Sequence, residues 1–393
     1  MIKEYLDKHG PSLSSKISEF LQSKGMSADA ARQQISRAKG DIRRLDAVTL
    51  PNREKFLFLQ KDYKSPDFKF NLATALIEKR TSYGLLLNAI RLRSGSLSLR
   101  HASIYSGLSV DKTKGHILVS TVVERLKKLE LIVETEDVLH IVNEESDIEE
   151  LKSIQIVESI VLDIYKNWLA RTGFASFDKI QVRSEDLDQP KVGQFNWCLT
   201  APTYISSVAI RKSKEVTPGF IVADIILGRK VTLEDAHFFT NKWDALINQR
   251  RKTPIQPFFI ADSLSREALD LLRKKGCIIA LPRNFFGEEA AELLRALISS
   301  MKNAALAVTK EPEKVFDLLK RLSKLEGASL NLRGVVFEFI IAHLHRVDGY
   351  GIDLRLIVHD RERNRAEIDI QAKKHKEVIF IECKGLASGN LVG

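Results

Sequence analysis

Asp369, Glu382 and Lys384 are the residues of this 393-residue chain whose types and spacing could do chemistry. Asp369 lies in the apolar run AEIDIQ, and Glu382 and Lys384 follow thirteen and fifteen residues later in EVIFIECKG. On a strand, alternation puts Glu382 and Lys384 on one face and Cys383 on the other. If the Asp369 strand is the hairpin partner, both carboxylates converge on one cation. The Lys384 ammonium then comes within reach of a water or a phosphate. Hard oxygen ligands suit Mg²⁺, which takes one or two carboxylates and completes its shell with substrate oxygens and waters. A cation, an activated water and a positive charge are what phosphodiester hydrolysis needs. The bland alternative is an exposed hairpin with a surface Glu–Lys pair. Against it, two carboxylates and a lysine on strands that read as buried are costly unless paired or metal-bound.

The elements that position these residues begin near residue 312. EKVFDLLKRLSKL reads as a lead-in helix and GVVFEFIIAHLHR as a longer amphipathic one. DLRLIVHD, RAEIDIQA and EVIFIECKG follow as three strands. The helix and strand expected after Gly385 do not follow, so the C-terminal part of this domain is expected to be missing.

Upstream, residues 154–300 carry a similar order. A helix at SIQIVESIVLDIYKNWLA precedes strands at FDKIQV, FNWCLTA, ISSVAIRK and PGFIVADIIL. A helix at TLEDAHFFTNKWDALINQ, a strand at PFFIAD, a helix at SREALDLLRKKG, a strand at CIIALP and a last helix around GEEAAELLRALISSM complete an α/β domain. Aligning KSKEV with KHKEV sets Ser207, Ala223 and Ile225 against Asp369, Glu382 and Lys384. All three positions are then lost. Asp224 and Asp262 are the other acids there, with no lysine at the required spacing.

The first 150 residues repeat another programme. In residues 1–64 a helix, a helix–turn–helix and two apolar runs split by Pro51-Asn52-Arg53 give the order of a winged helix. Ser27 and Asp29 supply cap chemistry there, and Gly40 a stop. Residues 82–143 repeat the order, with helices at SYGLLLNAIRLR, SLSLRHASIYSG and GHILVSTVVERLKKLEL and a hairpin turning near Glu136-Asp137. The intervening linker (residues 65–81) reads as short and partly helical. The first copy carries Arg32, Arg37, Lys39, Arg43 and Arg44 on and after its presumed recognition helix; the second carries Lys112, Lys114, Arg125, Lys127 and Lys128. Helices that read DNA grooves need such residues for phosphates and base edges. Many winged helices instead bind proteins, and exposed cations are commonly just solvated. The net charge of +10, from 61 Lys+Arg against 51 Asp+Glu, favours a polyanion partner.

With these residues in place, the C-terminal segment resembles the PD-(D/E)xK nuclease superfamily, and Mrr-like restriction endonucleases in particular. Glu338 in RGVVFEF, Asp369 in EID and Glu382-Cys383-Lys384 in IECKG match the family pattern over roughly residues 312–385. The resemblance implies that Asp369 and Glu382 bind Mg²⁺ (or Mn²⁺), with Cys383 in the metal set. It implies that Lys384 orients or deprotonates water and that Glu338 helps position the metal. PFFIADSLSREALDLLRKKGCIIALP resembles the second half of an Mrr-type domain. The expected architecture is therefore an α/β multidomain chain: two α+β winged helices (1–64, 82–143), then two restriction-endonuclease-like α/β domains (154–300, degenerate; 312–393). By the resemblance it is an endodeoxyribonuclease of restriction or anti-phage defence that acts on DNA as a homodimer, with a partner ATPase or defence subunit. The alternative is a non-catalytic DNA-binding regulator or adaptor. An RNA target finds no aromatic stacking platform in the presumed wings.

Other chemistries find little support. Cys198, Cys277 and Cys383 are scattered, with no CxxC pair, which fits a reducing cytoplasm and neither disulfides nor structural zinc. His343 and His345 lie two apart on a helix and point apart, and His237 reads as a partly buried helix residue. There is no GxxxxGK[ST], GxGxxG or nucleophile elbow. No apolar run is long enough for a membrane span, and the N-terminus reads as an amphipathic helix.

Overall fold

The computed structural model describes residues 1–112, 117–135, 137–176, 178–183, 188–212, 215–247, 254–288, 292, 295–296, 341, 345, 349–359, 365–374 and 377–383. It divides into two compact units, Met1–Leu151 with Gln194–Asn196, and the remainder. No helix among the described residues is long and apolar enough to cross a membrane.

The first unit opens with α1 (Ile2–His9), β1 (Ser12–Leu13), α2 (Ser14–Ser23), α3 (Ala28–Arg37), β2 (Ile42–Arg44) and β3 (Phe56–Leu59). The three short strands form an antiparallel sheet in the order β1-β3-β2. Ser27 starts α3 where the sequence places a cap, its Oγ accepting from the Ala30 N–H at 3.3 Å. Leu6 of α1 and the pairs Ile17/Leu21 of α2 and Ala31/Ile35 of α3, each pair four apart on its helix, close on Leu57 and Leu59. The expected hairpin is shorter than its apolar runs, because residues 45–55 turn through a 3-10 segment at Pro51–Arg53.

The linker is itself a helix, α4 (Pro66–Glu78), opened by the Ser65 Oγ accepting from Phe68 N and by proline at its first position. It crosses α5 (Ser82–Leu92) so closely that a Cβ on Gly84 would lie 1.9 Å from the Leu76 carbonyl oxygen. The second copy continues with β4 (Ser96–Ser98), α6 (Ala102–Ser106), α7 (Val119–Lys128), β5 (Ile132–Thr135) and β6 (Val138–Ile141). Its sheet order, β4-β6-β5, repeats that of the first. The stretch SLSLRHASIYSG is not one helix: its first residues pair with β6, and only its second half is helical. On α7 the apolar Val122 and Leu126 are buried, one turn apart. Glu130 bonds both Lys64 (2.5 Å) and Lys69 (2.9 Å), and these two ammonium groups hold its carboxyl down to about 2.

α8 (Ile148–Arg171) leads into the second unit. After β7 (Gln181–Val182), β8 (Lys191–Val192) and β9 (Phe195–Asn196) come β10 (Leu199–Thr203) and the hairpin β11 (Ile210–Lys212) and β12 (Glu215–Thr217). They are followed by β13 (Gly219–Val231), α9 (Leu233–Ile247), β14 (Ile255–Leu264), α10 (Arg266–Lys274), β15 (Ile278–Ala280) and α11 (Pro282–Phe286). One mixed sheet runs β15-β14-β13-β10-β7, parallel from β13 to β15 and antiparallel from β13 to β7. A helix links each parallel pair, as a crossover connection requires. The described C-terminal strands are β16 (Gly351–His359), β17 (Arg365–Lys374) and β18 (Glu377–Ile381), an antiparallel meander with β17 central. The helices expected over residues 312–345 and at 287–301 fall largely outside the described residues.

Candidate active site and nucleic-acid interface

In the C-terminal meander the ladder between β17 and β18 ends at Ile370↔Ile381. One step further along that antiparallel register, Asp369 and Glu382 stand opposite each other. Asp369 is half-buried and its Oδ2 accepts the Cys383 N–H at 2.5 Å; Glu382 is exposed. Ile370 and Cys383 are buried with Ile341 and Ile381 packed against them. The Cys383 thiol thus belongs to an apolar cluster, leaving the main-chain carbonyl as what this residue could offer a cation. Two carboxylates facing across a strand pair are a hard-oxygen donor set of the kind Mg²⁺ takes. The residues present fit that ion. Glu338 and Lys384 lie outside the described residues. The ladder to β16 also sets Arg355, between the pairs Leu354↔Ile370 and Leu356↔Ile368, across from Asp369. Among the described residues no three His, Cys, Asp or Glu side chains come close enough to hold a metal.

The basic residues of the first unit divide by what already holds them. Arg44 donates from Nη2 to the carbonyl oxygens of Ile35 (2.9 Å) and Ser36 (2.7 Å) and so caps the C-terminus of α3. Arg125 donates to the Tyr83 hydroxyl at 2.6 Å, and Lys127 pairs with Glu134. Arg32 meets Asp29 at 3.5 Å and Arg43 donates to Gln60 at 2.6 Å, both at the surface. Arg37, Lys39, Lys112 and Lys128 are exposed and make no hydrogen bond or ion pair among the described residues; Lys114 lies outside them. Arg44→Ala is therefore expected to cost about 1–2 kcal/mol of stability through lost capping, with little change in the salt dependence of DNA binding. Lys128→Ala should do the reverse, leaving thermal unfolding unchanged and lowering the slope of log K against log salt by about one. Calorimetric unfolding and a salt titration of binding separate the two.

The second unit's larger domain contains charges that sequence spacing did not connect. α9 begins with a reciprocal cap: Asp235 Oδ2 accepts from Thr232 N at 2.8 Å, and Thr232 Oγ1 from Asp235 N at 3.4 Å. The helix then buries Phe239, Lys242, Trp243 and Leu246, positions i, i+3, i+4 and i+7 of one face. Lys242 on that face bonds Asp224 Oδ2 and lies 4.2 Å from the Trp197 ring centroid. Asp224 Oδ1 accepts the Cys198 N–H at 3.1 Å. A lysine does accompany Asp224, eighteen residues on and from a helix. Beside this pair, Arg183 donates to Glu158 Oε2 at 2.8 Å, and Glu158 Oε1 accepts from Leu227 N at 3.2 Å. All four ionic side chains are buried. Asp262 is bonded instead by the Gly228 N–H at 2.8 Å, and burial pushes its carboxyl up. Asp224 and Asp262 share no partner in these bonds. Ser207 lies in the turn before β11, and the residue opposite Ala223 is Leu199, so the KSKEV alignment does not follow the strand pairing.

The fold thus defines a mixed α/β chain of several helices and small sheets. No family model and no curated protein matches it in sequence. Among solved structures it is similar to a repair endonuclease from Pyrococcus abyssi, with 12% identity over 37% of this chain and 51% of that one, TM-score 0.23. It is also similar to protein VC1899 from Vibrio cholerae, with 10% identity over 60% and 52%, TM-score 0.17. The chain spans about half the length of each.

Proposed function

We propose that this chain is a metal-dependent endodeoxyribonuclease of the PD-(D/E)xK class. The observation that carries the reading is the register of Asp369 against Glu382, which sets two carboxylates side by side at the end of one strand pair. Bound there, Mg²⁺ would supply charge for the phosphate and a more acidic water. Asp369 and Glu382 would hold the ion, with the Cys383 main-chain carbonyl as a further donor. The Asp369 carboxylate is oriented by the Cys383 N–H, and Lys384 orients or deprotonates the water, with Glu338 supporting the metal. The two copies of helix, helix pair and three-stranded sheet in the first unit act as winged helices that hold DNA. The exposed cations Arg37, Lys39, Lys112 and Lys128 supply their phosphate contacts. The larger domain of the second unit binds rather than cuts, because its ion pairs are closed against solvent. Cutting both strands requires two sites, hence a homodimer, and the resemblance points to restriction or anti-phage defence.

The test is plasmid cleavage by the chain, extended to any natural C-terminus, with Mg²⁺ or EDTA. Metal-dependent nicking that disappears in Lys384→Ala is the expected result. A folded, DNA-binding protein that never cuts would leave the regulator or adaptor reading.

A further inference from the structure

The strand pair that sets Asp369 against Glu382 carries a second feature on the same face. Alternation puts Val378, Phe380 and Glu382 on one side of β18, and Ile379, Ile381 and Cys383 on the other. Ile381 and Cys383 pack with the buried Ile370, which makes theirs the inner side of the sheet. On the opposite side Phe380 is 57% exposed and Val378 is 47% exposed. Single exposed apolar side chains are ordinary on a protein surface. Phe380 differs by the line it stands in. Across the ladder Lys373 faces Val378, Gln371 faces Phe380, and Asp369 comes opposite Glu382 one step beyond Ile370↔Ile381. Gln371 is buried, so the middle row offers solvent the Phe380 ring and not an amide. From the catalytic end the face therefore runs from a carboxylate pair, through an aromatic ring, to the exposed Lys373 beside Val378.

Successive rows of that face lie two residues apart, about 6.6–6.8 Å. A polynucleotide strand carries a matching alternation of phosphate, sugar with base, and phosphate. With one phosphate at the carboxylate pair, the flanking nucleotide falls on Phe380 and the next phosphate falls near Lys373. A base offers its flat face to an aromatic side chain only when it has left the paired stack. Duplex DNA presents base edges in its grooves instead. An aromatic ring next to the carboxylates thus favours an unpaired strand.

We infer that this face takes a single strand of DNA, with the base next to the scissile phosphate stacked on Phe380 and the following phosphate meeting Lys373. The inference rests on the nuclease reading for its first phosphate, and adds to it the substrate class: an unpaired segment at the point of cutting.

The test uses the full chain and two probes, oligodeoxythymidylate alone and the same strand paired with oligodeoxyadenylate. With Mg²⁺ the single strand should be cut at the higher kcat/KM. Phe380→Ser should raise KM for the single strand about tenfold, the loss of one stacked base. Its kcat and its thermal unfolding should stay near wild type, because the ring is exposed. Phe380→Tyr should keep the wild-type KM, since it retains the ring. Phe70→Ser, which removes a ring 62% exposed on α4, should leave KM unchanged. Lys373→Gln should lower the slope of log K against log salt for the single strand by about 0.7. Binding is read separately, with Ca²⁺ in place of Mg²⁺, through the added emission of Phe380→Trp. The single strand should quench that emission and the duplex should not. Cutting with a KM indifferent to Phe380→Ser, or a preference for the duplex, would overturn the inference and leave the nuclease reading standing. Selective quenching without any cutting would support the strand-binding face and remove the nuclease reading. Quenching by neither probe, or equally by both, would overturn the inference whatever the cutting.

Discussion

Glu382→Gln and Asp369→Asn are each expected to lower Mg²⁺-dependent nicking by about a hundred- to a thousandfold, the usual loss when a charge-stabilising group leaves an active site. The double variant should be no slower than the slower single, because two ligands of one ion act as a unit and the second loss has nothing left to remove. Initial rates over a Mg²⁺ series measure both effects. Glu377→Gln provides the control. It sits at the far end of the same strand, where its carboxylate accepts the Tyr350 hydroxyl at 2.8 Å, and its rate should stay at wild type. A second readout comes without metal. Like charges directly opposite in a strand pair destabilise it, so Glu382→Gln should unfold later than wild type in EDTA. A Glu382→Gln enzyme that cuts normally would remove the carboxylate pair from the chemistry.

Lys242→Met should be the most destabilising single change in the larger domain of the second unit. It takes the buried ammonium away from the buried Asp224 carboxylate, and breaking such a pair costs about 3–5 kcal/mol. For a domain of this size that is a fall of about 10 °C in Tm. The paired replacement Asp224→Leu with Lys242→Met should recover most of the loss, since well-packed apolar groups often match a buried pair in stability. Arg183→Met should behave alike, because it takes the buried guanidinium away from the buried Glu158 carboxylate. Thermal unfolding of the single and paired variants decides. If Lys242→Met unfolds like wild type, the lysine is hydrated in solution and Asp224 is accessible, which would reopen that domain as a site.

Local rules read from the chain carried far where they act within a few residues. Ser27, Ser65 and Thr232 start helices because a hydroxyl can bond an N–H two or three residues on, whatever the rest of the molecule does. The apolar alternation of AEIDIQ and EVIFIEC likewise contains its strands, and the short span between β17 and β18 restricts which residues can oppose. Asp369 opposite Glu382 was therefore legible from spacing. Ser96–Ser98 was not read as a strand, since three residues pair only because β6 offers an edge.

The pairing of Lys242 with Asp224, of Arg183 with Glu158, and the position of Arg355 across from Asp369 could not be read this way. Each joins elements through a crossover or a loop whose geometry no residue spacing encodes. Even Arg44, which spacing grouped with the DNA contacts, became a helix cap once the strand β2 turned it back over α3. Composition and periodicity settle which side chains a strand or helix shows on a face, because that follows from backbone repeat alone. Which charges then meet is settled only when two faces are pressed together, where burial makes an unpaired charge too costly to leave.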